Sequence, residues 1–173
     1  MTILHAHSGA LLETARELFA EYGRSIADVA ACSLQHQHFD AELDSLPGLY
    51  APPRGCILIA QAGLGPAPVP NAQSPVPSPA GCIALRPLPA LGAGVCELKR
   101  MYVRPPFRGT GLGRRMALQL IAFAKAAGYR TMKLDTSTTM HAAIGLYTSL
   151  GFVPCERYND DPMTDTLWLD LRL

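Results

Sequence analysis

Hydrophobic positions recur with a helical period in the first part of the chain. After a short apolar start at Ile3-Leu4, Ser8 is a candidate N-cap for an amphipathic helix. The apolar face of this helix consists of Leu11, Ala15, Leu18 and Tyr22. A second helical stretch is predicted over residues 25–46, with a break near His38, and Pro47-Gly48 ends it.

Two apolar runs in the middle of the chain, residues 56–61 and 81–86, predict strands. Between them lies a proline-rich segment, residues 62–80, which has no helical period and too many prolines for the interior of a sheet. We interpret this segment as a long loop inserted in a hairpin. A tolerated surface insertion is the simpler explanation for it, and a binding role is the alternative.

Strands and helices alternate in the second half of the chain. Strands are predicted at residues 95–103, 131–135, 152–158 and 166–173. Helices are predicted at residues 113–127 and from Thr138 or Thr139 to Leu150, with Gly151 as the stop. This alternation is typical of the α/β class.

Composition and length fit one globular domain spanning residues 1–173. The chain is 49% hydrophobic and 17% charged, which excludes a disordered protein. Its 15 lysines and arginines nearly balance its 14 acidic residues, so no general field attracts nucleic acid or an anionic membrane. We therefore expect neither nucleic acid nor a membrane as a partner.

The five cysteines are widely spaced and never form a C-x-x-C pair. This spacing disfavours a zinc site and a disulfide framework, and it indicates thiols in a reducing compartment. The first residues lack the pattern of a signal peptide, and no apolar run approaches the ~20 residues of a membrane span. A cytoplasmic location is the resulting prediction.

The most informative segment is residues 103–115, V-R-P-P-F-R-G-T-G-L-G-R-R, which joins the end of a strand to the start of a helix. Its glycines let backbone N–H groups converge on one point, and the helix start adds partial positive charge. Three arginines concentrate further charge there: Arg108, Arg114 and Arg115. The segment predicts a site for a phosphate or pyrophosphate, with a glycine-rich turn and solvated arginines as the simplest alternative.

Two common phosphate-binding classes fit this segment poorly. The Walker A spacing and its Lys-Ser/Thr are absent, which excludes the usual nucleotide triphosphatase. Asp135 ends the next strand, where a dinucleotide-binding fold places a ribose-binding carboxylate. However, the glycines at 109, 111 and 113 do not form G-x-G-x-x-G, and residues 104–107 separate them from the strand. Dinucleotide binding is therefore disfavoured.

At these residues the sequence resembles the GNAT superfamily of N-acetyltransferases, whose acetyl-CoA loop follows R/Q-x-x-G-x-G/A. The matching residues here are Arg108, Gly111 and Gly113. Two further blocks flank the loop in the expected order: E-L-K-R-M-Y-V-R-P at 97–105 and A-A-I-G-L-Y-T-S-L-G-F at 142–152. The resemblance implies an α/β (α+β) fold, with a mixed, mostly antiparallel sheet of about six to seven strands flanked by about four helices.

The resemblance also implies acetyl-CoA as co-substrate and a set of residues that bind it. The pyrophosphate would be held beside Arg108 by backbone amides of Gly109, Thr110, Gly111, Leu112, Gly113 and Arg114. The pantetheine arm would run along Met101, Tyr102 and Val103, with the Met101 amide polarising the thioester carbonyl. One position departs from the family: Met140 stands where an asparagine often contacts the cofactor, and Thr138 or Thr139 is a candidate replacement.

Two residues are candidates for proton transfer. Glu97, eleven residues before Arg108, occupies a position where family members carry a general base. The alternative for Glu97 is an ion pair with Lys99 or Arg100. Tyr147 occupies the family's general-acid position, with simple packing in an amphipathic helix as its alternative.

No metal site is expected, although His36, His38 and Asp40 are close in sequence. Residues i and i+2 of a helix do not face each other, so a solvated or substrate-facing pair is the better interpretation.

The resemblance also implies a place for the acceptor. The resemblance places it between residues 24–50 and residues 158–165, where Asp160, Asp161 and Asp165 are either solvated or attract a cationic amine. The predicted activity is direct transfer of an acetyl group to the primary amine of a small molecule or amino acid. The alternatives are acetylation of a protein N-terminus or lysine, and a non-catalytic acyl-CoA-binding module. A homodimer is compatible with the sequence.

Overall fold

The computed structural model describes residues 1–63 and 78–173 of the chain. Within those residues the chain forms seven strands and five α-helices. The strands are β1 (Thr2–His5), β2 (Cys56–Ala62), β3 (Ser78–Pro87), β4 (Val95–Val103), β5 (Thr131–Ser137), β6 (Val153–Pro154) and β7 (Thr166–Arg172). The helices are α1 (Gly9–Ser25), α2 (Ala27–His36), α3 (Phe39–Asp44), α4 (Leu112–Ala126) and α5 (His141–Ser149).

The strands form one sheet in the order β1-β2-β3-β4-β5-β7-β6. β4 and β5 are parallel, and the other neighbouring strands are antiparallel. The parallel pairing is short, because it joins only residues 95–97 to residues 131–133 while both strands continue beyond it. The prediction of a mixed, mostly antiparallel sheet is confirmed, with five described helices where about four were expected.

Helices cover both faces of the sheet. Leu58 of β2 belongs to an apolar cluster that contains Leu120 of α4. Its neighbour Ile59 points to the opposite face and belongs to a cluster that contains Phe19 of α1. Because both faces of β2 are buried, its sequence is a continuous apolar run rather than an alternation of apolar and polar residues.

The strands that flank the proline-rich segment extend further than predicted. Ala62 ends β2 and residues 78–80 begin β3, although the sequence assigned all of them to the loop. Gln61 pairs with Pro79 beside a register shift, and this irregularity accommodates a residue that has no N–H to donate. Residues 64–77, the rest of the predicted insertion, lie outside the described residues.

The helix boundaries differ in part from the prediction. The break near His38 is confirmed, because a left-handed backbone at that residue (φ 54°) separates α2 from α3. Ser8 occupies the N-cap position of α1, but its side chain makes no capping hydrogen bond. α5 starts after Met140 rather than after Thr138 or Thr139, since the Thr139 hydroxyl bonds a neighbouring serine instead of the helix.

The strand predicted at residues 152–158 is much shorter in the structure. Only Val153–Pro154 pairs with β7. Beyond it, Tyr158 and Asn159 turn inward and hydrogen-bond to Glu97 and Asp135 respectively. These side-chain contacts fix residues 155–165 as a loop against the sheet, which we call the β6–β7 loop.

Gly81 in β3 has no room for a side chain. A Cβ atom there would lie 2.4 Å from the backbone oxygen of Tyr102. We expect Gly81→Ala to lower the free energy of unfolding by about 1–3 kcal/mol, as overpacking does, in urea denaturation. Gly145→Ala in α5 is the control: beyond the local backbone of the helix, no atom lies within 4 Å of that Cβ position, and stability should rise by about 0.5–1 kcal/mol. A Gly81→Ala protein as stable as the wild type would contradict this packing.

Candidate active site

A cavity of about 740 Å³ opens where β4 and β5 cease to pair. Its walls are the second half of β4, the end of β5, the glycine loop before α4, the start of α5, one face of α2 and the β6–β7 loop. β4 and β5 pair only through their first residues, and this parallel pairing ends at Glu97 and Lys133. Beyond that point the two strands diverge, and the cavity lies between them.

A β-bulge shapes the β4 wall of the cavity. Cys82 pairs with Tyr102 while Ala84 pairs with Lys99, so β4 contains one more residue than β3 across this interval. The extra residue falls at Arg100, whose backbone is left-handed (φ 55°). The bulge interrupts the ladder just before the predicted pantetheine segment. All three residues of that segment line the cavity: Met101, Tyr102 and Val103.

A salt bridge fixes Arg100 at the bulge. Its Nε and Nη2 atoms lie 2.7 and 2.8 Å from the two carboxylate oxygens of Glu42 in α3. The guanidinium carbon also lies 4.8 Å from the centre of the Phe39 ring. Burial opposes ionisation of Glu42, but the Arg100 guanidinium outweighs it and holds the pKa of that carboxyl below its ordinary value. The strained residue is therefore stabilised by a partner from the helical layer.

The glycine loop leads into α4 through two left-handed residues, Gly109 (φ 75°) and Gly111 (φ 77°). Gly111 is the N-cap of α4, so no side chain bonds to the first amides of the helix. A Cβ atom on Gly113 would lie 2.9 Å from Cε of Met101, which shows how closely α4 approaches β4. The loop thus presents a helix N-terminus to the cavity, the geometry that suits an anion.

The side chains of the loop divide between the cavity and its surroundings. The predicted loop residues that line the cavity are Arg108, Gly109, Gly111, Leu112, Gly113 and Arg114. Thr110 does not line it, and its hydroxyl donates a hydrogen bond to the Phe107 carbonyl (2.7 Å). Arg115 also points elsewhere, donating to the Met1 carbonyl (3.0 Å).

Tyr147 of α5 is buried at the cavity wall, next to the bulge. Its hydroxyl lies 3.5 Å from Sδ of Met101, and its ring packs against Phe152 with centroids 5.7 Å apart. Burial raises the pKa of the Tyr147 hydroxyl well above its ordinary value of 10.0. Tyr147, the candidate general acid, and Met101, the candidate thioester contact, are thus neighbours, and Met140 lines the same cavity.

Glu97 is fully buried and is not among the cavity-lining residues. Arg86 donates from Nε to its Oε2 atom (2.7 Å), and Tyr158 donates its hydroxyl to Oε1 (2.9 Å). The Lys99 ammonium lies 3.5 Å from the same Oε1. The alternative of an ion pair with Lys99 is therefore present, whereas Arg100 pairs elsewhere.

The structure adds a buried pair that the sequence analysis did not identify. Lys99 and Asp135 both line the cavity, with Nζ 3.0 Å from Oδ1. Asn159 donates to the other carboxylate oxygen of Asp135 (3.0 Å). Burial opposes ionisation of Asp135, yet the Lys99 ammonium outweighs it and lowers the pKa of the carboxyl. One sequence signal pointed to this pair, which is that both β4 and β5 contain charged residues of both signs.

The three acidic residues of the β6–β7 loop occupy different environments. Asp161 is buried and lines the cavity, and Ser33 of α2 donates its hydroxyl to the carboxylate. Asp165 also lines the cavity. Asp160 is exposed and pairs with His36 of α2 (3.3 Å), so it faces solvent rather than the cavity.

Among residues 1–63 and 78–173, no group of three or more His, Cys, Asp or Glu side chains is arranged to hold a metal ion. In the same part of the chain, no helix has the length and apolar character needed to cross a bilayer.

Comparisons with known proteins agree with this architecture. Residues 51–152 match the model of the acetyltransferase (GNAT) family. An uncharacterized N-acetyltransferase of Schizosaccharomyces pombe is 35% identical over 140 residues, which are 81% of this chain and 77% of that protein. An acetyltransferase structure from Streptococcus agalactiae superposes with a TM-score of 0.71 at 17% identity, covering 99% of this chain and 98% of that one. The structure of ribosomal-protein-alanine N-acetyltransferase from Brucella melitensis superposes with a TM-score of 0.64 at 20% identity, covering 100% of both chains.

These similarities decide the family. The family model spans more than half of the chain, and the match to the Schizosaccharomyces pombe relative covers most of the chain. The chain therefore belongs to the GNAT family of acetyltransferases and is an acyltransferase.

Proposed function

We propose that the protein transfers an acetyl group from acetyl-CoA to the primary amine of a small molecule or amino acid, directly and in a ternary complex. The observation that carries the proposal is the continuity of one cavity from the glycine loop, past Met101 and Tyr147, to the β6–β7 loop. A cofactor and an acceptor that occupy its two ends would meet at the bulge. Direct transfer needs only this juxtaposition and no acetylated side chain.

In this proposal the CoA pyrophosphate binds at the N-terminus of α4. The amides of residues 109–114 receive it, while Arg108 and Arg114 add positive charge. The pantetheine arm then runs along residues 101–103. The Met101 amide polarises the thioester carbonyl and stabilises the oxyanion that forms on it.

The chemical step joins the amine nitrogen to the acetyl carbon and breaks the bond between that carbon and sulfur. Tyr147 gives its hydroxyl proton to the departing CoA sulfur and is reprotonated from solvent. Burial raises the pKa of the hydroxyl, so it carries its proton at physiological pH, and it donates that proton to the thiolate as the thiolate forms. The products are the acetylated amine, CoA thiol and a proton.

The proton lost by the amine is assigned to Glu97 acting through Lys99. Glu97 does not line the cavity, whereas Lys99 does and lies 3.5 Å from the Glu97 carboxylate. Lys99 transfers a proton to Glu97 and takes one from the amine, which restores the ammonium and leaves Glu97 protonated. Glu97 then returns this proton through Lys99 to solvent after the products leave, and the original charges of the pair are restored. The resemblance names Glu97 as the candidate base without fixing how it reaches the amine, and this assignment supplies a one-residue relay.

Release of CoA thiol in the presence of a panel of amines tests the proposed function. The panel contains amino acids, monoamines, diamines and a peptide with a free N-terminus. We expect amine-dependent thiol release, faster with small amines than with the peptide. CoA binding without such release would support a non-catalytic binding module, and release with the peptide alone would favour a protein acceptor.

We also place the protein in the cytoplasm. Its five cysteines are all free, as thiols are in a reducing compartment.

A further inference from the structure

The buried charges along the cavity are paired, with one exception. The ammonium of Lys99 is matched by Asp135, and the guanidinium of Arg100 is matched by Glu42. Asp161, only 5% exposed, has no such partner. In the part of the chain that the structure describes, no Lys, Arg or His nitrogen lies within 4.0 Å of its carboxylate.

Uncharged donors hold the Asp161 carboxylate in place. Its Oδ1 atom accepts from the Met163 amide (2.9 Å) and the Thr166 hydroxyl (3.1 Å). Its Oδ2 atom accepts from the Ser33 hydroxyl and, at 3.5 Å, from the Gln37 amide. These dipoles orient the carboxylate and solvate it. The Arg157 guanidinium donates to the backbone carbonyl of Asp161 (3.1 Å) and not to the carboxylate, which therefore forms no ion pair. A buried charge of this kind is stabilised strongly by a cation brought to it.

The side chains at the two ends of the cavity therefore carry charges of opposite sign. At the glycine loop, Arg108 and Arg114 both line the cavity. Arg108 donates to the Val103 carbonyl and Arg114 to the Ser149 hydroxyl, and neither of these acceptors carries a negative charge. At the β6–β7 loop, Asp165 accepts from a hydroxyl, that of Ser137. An anionic cofactor suits the first end, and a cationic acceptor suits the second.

We propose that Asp161 binds a positively charged group of the acceptor that is separate from the amine being acetylated. This inference rests on the proposed function. The reacting nitrogen must lose its proton before it attacks, and an unmatched carboxylate beside it would favour the ammonium form instead. Asp161 makes no hydrogen bond to Met101 or Tyr147, the residues assigned to the reacting thioester. The acceptor class is thus a diamine, or an amine that carries a guanidinium group.

A pair of acceptors matched in chain length tests the inference. We compare kcat/KM for putrescine, a diamine, with kcat/KM for butylamine, its monoamine counterpart. We expect putrescine to be preferred by roughly 10- to 100-fold, as for a hydrogen bond to a charged group. Asp161→Asn is an isosteric substitution. In this variant the ratio of kcat/KM for putrescine to kcat/KM for butylamine should fall to about one, because the KM for putrescine rises while kcat/KM for butylamine changes little.

Asp160→Asn is the matched control, because it removes the neighbouring charge at the solvent-facing position and should keep the preference. Circular dichroism melting confirms that each variant folds. If Asp161→Asn does not fold, Asp165→Asn takes its place, because Asp165 is the other carboxylate at this end of the cavity. A preference kept in Asp165→Asn supports Asp161, and a preference lost there assigns the second cation to Asp165 and overturns the role of Asp161. Equal use of both amines by the wild-type protein, or a preference that survives in folded Asp161→Asn, overturns the role of Asp161 and leaves the proposed function intact. Absence of acetylation with every amine overturns the proposed function itself.

Discussion

Replacing Tyr147 with phenylalanine is expected to lower kcat by about 100-fold or more, the usual contribution of a positioned general acid. The ring that packs against Phe152 is retained, and the lost hydroxyl makes only a 3.5 Å contact with the sulfur of Met101. The fold and the affinity for CoA should therefore be unchanged. Because burial raises the pKa of this hydroxyl above 10.0, wild-type kcat should show no loss from its ionisation below that pH.

Single-turnover kinetics and CoA titration separate the two effects of the Tyr147 substitution. Tyr129→Phe is the matched control, since the Tyr129 hydroxyl donates to the Arg54 carbonyl away from the cavity. We expect Tyr129→Phe to keep kcat near the wild-type value. A Tyr147→Phe protein with wild-type kcat would remove the residue from the mechanism.

Substitution of Lys99 by methionine is expected to cost about 3–5 kcal/mol of stability, the effect of leaving a buried carboxylate unpaired. Glu97 keeps Arg86 as a partner, but Asp135 loses the one cation that lies beside it in the described residues. Guanidinium denaturation measures the loss. Lys125→Met, at an exposed position of α4, is the control and should change stability by less than about 0.5 kcal/mol.

Two further measurements distinguish an unpaired charge from lost packing at Lys99. Lys99→Met combined with Asp135→Asn should recover part of the loss, because the uncompensated carboxylate is removed as well. The pKa of Asp135 is lowered in the folded protein, so its ion pair stabilises the fold above the ordinary value of 3.8 and is lost as pH falls further. The difference between wild type and Lys99→Met should therefore shrink in strong acid. A constant difference at all pH values would indicate packing alone.

Local patterns predicted the parts of the site that depend on local geometry. The glycine loop follows from glycines and arginines between a strand and a helix, and its left-handed residues are Gly109 and Gly111. The stop at Gly151 (φ 94°) was predicted on the same basis, and the break near His38 also lies where it was predicted. In each case the conformation is determined by a few consecutive residues.

Other features depend on residues far apart in sequence, and they were missed or predicted incorrectly. The bulge at Arg100 is stabilised by Glu42, 58 positions earlier. The pairing of Lys99 with Asp135 spans 36 positions and requires β4 and β5 to be neighbours. The strand predicted at residues 152–158 is reduced to Val153–Pro154, because Tyr158 bonds to a carboxylate 61 positions away. Periodicity and capping signals carry no information on such partners.

The most direct test of ternary-complex transfer is an initial-rate grid in which acetyl-CoA and an accepted amine are varied together. Transfer within one cavity requires both substrates to be bound at once, so the double-reciprocal lines should intersect. The protein should also gain no mass of an acetyl group when it is mixed with acetyl-CoA alone. Parallel lines, together with an acetylated protein that passes its acetyl group to the amine at the rate of turnover, would contradict the account.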